Sequence, residues 1–292
     1  MTAYFDFSTA SVSALALADV QRALLEDVGN ADLTAGLVDP SRRARALVVA
    51  REPAVICGAP WAELALLQLD PSAQITWQIP EGHRSEADQV VLEVAGQARA
   101  LLTAERTALN FLQLLSGVAT KTSSYVQAVR EVPGARAGIV DTRKTIPGLR
   151  LAQKYAVRVG GGVNHRLGLH DAVLIKENHI AAAGGITAVL RRAAEVAPQA
   201  RFVQIEVENL DQLREALQAG ANMILLDNMG LSQLHEAVHI TAGRALLEVS
   251  GGVNLSSVCA IAATGVDRIS IGELTKNVKA IDFSMRFIDS PL

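Results

Sequence analysis

From Gly138 onward the chain keeps one rhythm: a short apolar run, a loop carrying polar residues or glycine, then an amphipathic stretch of helical length. The apolar runs fall at 138–141, 172–176, 202–208, 222–227, 245–249 and 268–272, with patterns such as LDQLREALQAG and LSQLHEAVHI between them. Strands separated by helices of that length form a parallel sheet with the helices packed outside it. Composition agrees. The chain is 50% hydrophobic but only 4% aromatic, which means the aliphatic core that covered parallel sheets bury.

The polar residues sort by position. Asp141, Thr142, Arg143, Lys144, Lys176, Glu206, Asp227, Ser250, Gly251, Gly252 and Gly272 all lie at or just past the C-terminal ends of these runs. In a β/α barrel every such end opens on one mouth, where active sites sit. An open doubly wound sheet uses only its switch point. Polar residues at every strand end therefore favour a barrel. Six clear strands are too few for a complete one, so the expectation is an α/β protein with an incomplete (β/α) barrel of TIM-like type at its C-terminal side.

The first part reads differently. Residues 13–28 form an amphipathic helix ending at Gly29, and the β-prone runs RALVVARE, AVICG, ITWQI and VVLEVAG follow, with a helix near 60–69. That is a small α+β unit. A long helical pattern runs from Ala98 to Val129 and is expected to break near Ser116-Gly117. The domain reading is an N-terminal α+β domain with an interface helix over 1–115 and a barrel with the catalytic face over 116–275. Residues 276–292 return to the N-terminal domain.

Charge and cysteine usage exclude several classes. A formal net charge of −3 and a pI near 6.1 give no basic field for nucleic acid. Cys57 and Cys259 stand far apart without a CxxC, so neither a disulfide framework nor a cysteine zinc site follows. The N-terminus lacks the charged start and long apolar core of a signal peptide, and no apolar run approaches membrane-spanning length. A soluble cytoplasmic protein is expected.

Against this acidic average, residues 141–179 gather Arg143, Lys144, Arg150, Lys154, Arg158, Arg166 and Lys176 with His165, His170 and His179. Arg150, Lys154 and Arg158 recur at helical spacing and read as an ordinary surface helix face. Arg143, Lys144, Arg166 and Lys176 sit by glycines or at strand ends instead, as a pocket for anions requires. Glu206 and Asp227 end neighbouring strands, where they could hold Mg²⁺ against a polyphosphate or neutralise a developing cation. Glu208 shares the face of Glu206 and remains an alternative to it, and a salt bridge to Lys176 or Arg166 is the plainer role. Ser250-Gly251-Gly252 and the ISIGEL segment, with Ile271, Gly272 and Glu273, place glycines after adjacent strands, the pattern of a phosphate cradle. The GGG run at 160–162 follows a helix and reads as a helix stop. HEAVH at 235–239 matches a zinc-protease pattern but falls on an outer helix, and the extended form of that motif is missing.

These motifs taken together resemble the quinolinate phosphoribosyltransferase (decarboxylating) family, also called nicotinate-nucleotide pyrophosphorylase (carboxylating). The resemblance spans nearly the whole chain. It rests on AERTALNFLQLLSGVAT at 104–120, DTRKTIPGLR at 141–150, YAVRVGGGVNHRLGL at 155–169, DAVLIKENHI at 171–180, LLDNM at 225–229, LEVSGGVN at 247–254 and GVDRISIGELTKNVKAIDFSMRF at 265–287.

What the resemblance implies can be placed residue by residue. Quinolinate and 5-phosphoribosyl 1-diphosphate are the substrates, Mg²⁺ is required, and the products are nicotinate mononucleotide, pyrophosphate and CO₂. Arg106, Arg143, His165, Arg166 and Lys176 would meet the quinolinate carboxylates, with Thr142 beside them. Lys144 and Lys176 would lie near the diphosphate, Glu206 and Asp227 would hold the ribose and the metal, and Ser250 to Gly252 with Ile271 to Glu273 would cradle the 5-phosphate. Lys144, Lys176, Glu206 and Asp227 are the expected catalytic set. The family is dimeric or larger, and Arg106 is expected to act across the subunit interface. One departure stands at Lys276 and Asn277, where many relatives carry His. Competing readings are a paralogous molybdenum-transport-associated protein of the same fold and a Schiff-base lyase using Lys176.

Overall fold

The computed structural model describes residues 4–288. In chain order they form α1 (Thr9–Val28), a 3₁₀ turn (Ala35–Leu37), β1 (Arg43–Ala50), β2 (Ala54–Val55), α2 (Ala59–Leu69), β3 (Gln74–Trp77), β4 (Arg84–Ser85), β5 (Gln89–Gln97), α3 (Ala98–Arg130) and β6 (Gly138–Val140). There follow α4 (Arg150–Val159), β7 (Val173–Ile175), α5 (Glu177–Ala183), α6 (Ile186–Val196), β8 (Val203–Val207), α7 (Leu210–Gln218), β9 (Met223–Asp227) and α8 (Leu231–Thr241). The remainder is β10 (Leu246–Ser250), α9 (Val258–Ala263), β11 (Arg268–Ser270), α10 (Glu273–Lys276) and β12 (Phe283–Ile288). Two units result, one from the residues up to 121 with 146–161 and those from 277 on, the other from 122–145 and 162–276.

The first unit is built on an antiparallel sheet of order β12-β1-β5-β3. Strand β1 buries Ala44, Ala46, Val48 and Ala50 and turns the residues between them outward, the period of a sheet covered on one face. Residues near the C-terminus supply its outer strand, since β12 pairs antiparallel with β1 from Arg45–Ile288 to Ala50–Phe283. Helix α1 is capped by the Ser8 side chain, which accepts from the Ser11 N–H, and stops at Gly29. The N-terminus of α2 is held by Glu81, whose carboxylate accepts from the Gly58 and Ala59 N–H groups at 2.9 Å each and from the Tyr155 hydroxyl at 3.0 Å. Burial pushes this carboxyl up, and those hydrogen bonds oppose the shift.

Two expectations are corrected here. The long helix does not break at Ser116-Gly117, because α3 runs unbroken from Ala98 to Arg130. Glycine stands there because the main chain of Lys279 crosses the helix at this point, leaving no room for a Cβ. Lys154, expected on a solvated helix face, is wholly buried in α4 together with Gln153. The amphipathic period of α4 is real, but lysine lies on its covered side.

The second unit is a six-stranded parallel sheet of order β6-β11-β10-β9-β8-β7. The first strand joins the last, and each of the others joins its neighbour in sequence. That order is a barrel's, opened between β6 and β7, where the described residues show only a single parallel bridge from Val140 to Val163. One face of the sheet is aliphatic. Ile205, Val207, Ile224, Leu226, Leu247, Val249 and Ile269 are at most 2% exposed, and helices α6, α7 and α9 pack on the sheet. The other face carries Gln204, Glu206, Asp227, Glu248, Ser250, Arg268 and Ser270. Parallel strands are ordinarily apolar on both faces, so a polar inner face near the C-terminal ends marks a site. No described helix is long and apolar enough to cross a membrane.

Candidate active site

Register builds the mouth in layers. Glu206 and Glu248 both pair with Leu225, from opposite sides of β9, and Glu248 pairs with Arg268. One step higher Asp227 pairs with Ser250. Lys176, the residue just past β7 and the cap of α5, donates from Nζ to Glu206 Oε2 at 2.8 Å. Asp227 accepts from Asn228 Nδ2 at 2.8 Å. Glu208, two residues beyond Glu206, has its carboxyl pushed up by a hydrogen bond and repulsion from Glu177, with further repulsion from Asp227 and Glu206. This end of the mouth is thus a negative field holding one ammonium group.

The cations lie on the loops that follow β6 and precede β7. Arg166 is only 9% exposed, yet among the described residues neither Arg166 nor Arg143 makes an ion pair. Burial and the positive charge of Arg143 both lower the proton affinity of Arg166, while Asp171 opposes the effect. Asp171 is already committed to the Leu167 and Gly168 N–H groups at 2.8 and 2.9 Å and to Arg201 at 3.3 Å. Arg143 in addition has a buried Nε without a partner. Two neighbouring guanidinium groups left without a carboxylate are costly unless an anion is to be bound. Planar forks of this kind suit carboxylates.

The backbone beneath them is fixed by Asp141, His165, Gln204 and Glu248. Asp141, fully buried past β6, accepts from the His165 N–H at 2.9 Å and from Asn164 Nδ2 at 2.7 Å. His165 Nδ1 accepts from the Arg166 N–H at 2.8 Å, which assigns the ring proton to Nε2, and Nε2 donates to Gln204 Oε1 at 2.7 Å. His165 is 5% exposed, with both ring nitrogens engaged by protein. Glu248 lies 3.5 Å from Nε2 and receives Arg268 Nε at 2.8 Å and the Ser270 hydroxyl. In the sequence Gln204 and Glu248 are marked only as polar letters inside apolar strands.

The glycine loops close the mouth. Ser250 ends β10, and Gly251 and Gly252 follow with φ of +106° and +60°, conformations that other residues rarely take. A Cβ on Gly272 would stand 3.2 Å from Lys144 Cδ and 3.7 Å from Thr142 Oγ1, so Lys144 lies directly over the second glycine loop. Lys144 is anchored by its N–H on Thr142 Oγ1 at 3.1 Å and by its carbonyl, which accepts from Thr275 at 2.8 Å. Around Gly272, the Ile271 N–H is already bonded to the Val140 carbonyl, and Glu273 receives the Tyr125 hydroxyl.

Thr142, Arg143, Lys144, His165, Arg166, Lys176, Glu206, Asp227, Ser250 to Gly252 and Ile271 to Glu273 therefore all belong to the second unit. Arg106 belongs to the first unit, on α3, where it pairs with Glu105 at 2.7 Å. Lys276 ends α10, and the Asn277 carbonyl accepts from Lys121 Nζ at 2.9 Å. The HEAVH residues His235, Glu236 and His239 are exposed on α8. Among the described residues no three His, Cys, Asp or Glu side chains are placed to hold a metal ion. A magnesium ion here would take one or two carboxylates and complete its octahedron with water and substrate phosphate, the usual manner of Mg²⁺ with phosphorylated substrates, and Glu206 and Asp227 fit that use.

Comparison with known proteins identifies the family. Residues 32–116 match the quinolinate phosphoribosyl transferase N-terminal domain and residues 118–286 the C-terminal domain. The chain is 44% identical over 276 residues to a nicotinate-nucleotide pyrophosphorylase [carboxylating] of Mycobacterium leprae, covering 91% of this chain and 95% of that protein. A probable enzyme of the same name from Bacillus subtilis is 41% identical over 261 residues, 89% of each chain. The solved nicotinate-nucleotide pyrophosphorylase of Francisella tularensis superposes with a TM-score of 0.92 at 42% identity, covering 99% of this chain and all of that one. With both domains matched in order and relatives this similar along nearly their whole length, the chain belongs to the quinolinate phosphoribosyltransferase family.

Proposed function

We propose that this protein transfers the phosphoribosyl group of 5-phosphoribosyl 1-diphosphate to quinolinate and decarboxylates the product, giving nicotinate mononucleotide, pyrophosphate and CO₂, a step of NAD biosynthesis. The observation that carries the reading is the pair Arg143 and Arg166, two neighbouring guanidinium groups without carboxylate partners, in the same unit as the carboxylate set and the two glycine loops. A pyridine dicarboxylate matches the pair in charge and planarity. His165 supports it from beneath, through the Arg166 backbone.

The donor occupies the other side of the mouth. Its 5-phosphate meets Ser250 to Gly252 and the loop of Ile271 to Glu273, and Lys144 and Lys176 meet the diphosphate. Glu206 and Asp227 would hold Mg²⁺, which would supply charge neutralisation at the diphosphate. As the C1–oxygen bond breaks, positive charge grows on the ribose, and the Glu206 and Asp227 carboxylates stabilise it. The pyridine nitrogen forms the new bond to C1. The ring nitrogen is then cationic, so the electron pair left when the adjacent carboxylate departs as CO₂ is stabilised by the ring, and a proton takes that carbon. No further electron sink is needed. Lys176, paired with Glu206, serves as a charge partner rather than as a nucleophile. A cytoplasmic homodimer, with Arg106 of one subunit completing the site of the other, is part of the same proposal.

The test is direct. Incubated with quinolinate, phosphoribosyl diphosphate and Mg²⁺, the protein should release CO₂ and nicotinate mononucleotide in equal amounts. Absence of both products refutes the assignment.

A further inference from the structure

The residue after Asp227 carries more than its place in a loop requires. Asn228 has φ +54°, one of four non-glycine residues with positive φ among those described. A side chain in that region is strained, least so for asparagine. Three of its polar groups are engaged at the ends of β9 and β10. The backbone N–H crosses to the Ser250 carbonyl at 3.0 Å, tying the end of β9 to the end of β10. Side-chain Nδ2 donates to Asp227 Oδ2 at 2.8 Å. A carboxylate only accepts, so the amide must present its NH₂ to Asp227 and its oxygen to the other side. There it lies against Gly251: a Cβ on that glycine would overlap Asn228 Oδ1 and stand 2.8 Å from Cγ.

We propose that Asn228 is a positioning residue of the reaction, linking the Asp227 carboxylate to the glycine loop at 250–252 so that phosphate seated on the loop also fixes the carboxylate at the ribose. The inference rests on the transferase reading given above. Phosphate held by the loop N–H groups immobilises Gly251, Gly251 confines the amide, and the amide holds one oxygen of Asp227 while leaving the other to act. Only asparagine meets all the demands. Aspartate would set two carboxylates together, glycine would keep the backbone but lose the donor, and a branched residue could not take the backbone conformation.

The experiment compares wild type, Asn228→Gly, Asn228→Asp, Asp227→Asn and the double variant Asp227→Asn with Asn228→Gly. Steady-state kinetics with both substrates, calorimetric quinolinate binding and thermal melting are measured for each. Asn228→Gly should lower kcat about tenfold, the usual worth of one hydrogen bond to a charged group, and Asn228→Asp should lower it further. Quinolinate affinity should stay within about twofold in both. The deciding result is non-additivity: once Asp227 is asparagine, Asn228→Gly should cost less than about twofold more, because its effect passes through that carboxylate. A full additive loss in the double variant, or an unchanged kcat in Asn228→Gly, overturns the proposal while leaving the transferase reading intact. A wild-type protein that forms no product overturns both.

Discussion

Gly117→Ala tests the fold where two physical effects have opposite signs. Helix propensity alone makes alanine in the middle of α3 more stable than glycine by about 1 kcal/mol. The tertiary structure reverses this. A Cβ at 117 would overlap the carbonyl oxygen of Lys279, with the carbonyl carbon at 3.2 Å and Val278 Cγ1 at 3.3 Å. The neighbour is main chain and cannot rotate away. It is held on both sides, by Lys121 Nζ on the Asn277 carbonyl at 2.9 Å and by the Ile281 N–H on the Gln113 carbonyl at 3.1 Å, and β12 follows. Withdrawing it costs about 2–4 kcal/mol in overpacking and loosened hydrogen bonds. After the propensity gain, a net loss of about 1–3 kcal/mol remains, or a fall in Tm of roughly 2–5 °C for a chain of this length. Calorimetry measures the shift, and hydrogen exchange locates it: the Ile281 amide and those of β12 should exchange faster. A Tm equal to or above wild type would refute the reasoning, as would a lower Tm with Ile281 still protected.

Three further outcomes follow from the site. Arg166→Gln removes one of two unpaired guanidinium groups, so KM for quinolinate should rise about 10- to 100-fold while KM for phosphoribosyl diphosphate changes far less; wild type should turn over nicotinate poorly, and equal turnover of the two acids would remove the dicarboxylate argument. Glu248→Gln leaves Arg268 facing a neutral group in a buried position and should cost about 2–4 kcal/mol in denaturant unfolding, with part of the loss regained on adding Arg268→Gln; an unaltered midpoint would contradict the network at β10 and β11. Arg106→Ala and Lys176→Ala should each be nearly inactive, yet after random re-association of equal amounts roughly a quarter of wild-type sites should return, since each mixed dimer carries both lesions in one site and none in the other. Inactive mixtures with proven mixed dimers would place Arg106 outside a shared site.

Much of this protein was legible one residue at a time. Strand-helix alternation after Gly138, and the polar letters at each strand end, specify a parallel barrel-like sheet and its mouth, because periodicity and the direction of a parallel strand are local properties that tertiary packing does not alter. Arg143, Lys144, Lys176, Glu206, Asp227 and the glycine loops could be read from that rule alone. Other features depend on segments far apart in sequence. Gly117 resembles a helix break until Lys279 is seen to cross it, Lys154 resembles a surface lysine until its helix face is covered, and β12 finds its partner more than two hundred residues earlier in β1. The support for the site is of the same kind. Asp141 beneath His165, Glu248 between Arg268 and Ser270, and Asn228 between Asp227 and Gly251 act through distances of a few ångströms that no spacing encodes. The sequence by itself determined which chemistry stands at the strand ends, because that follows from local period. Which groups hold that chemistry in place was decided only when the closing sheet brought the strands side by side.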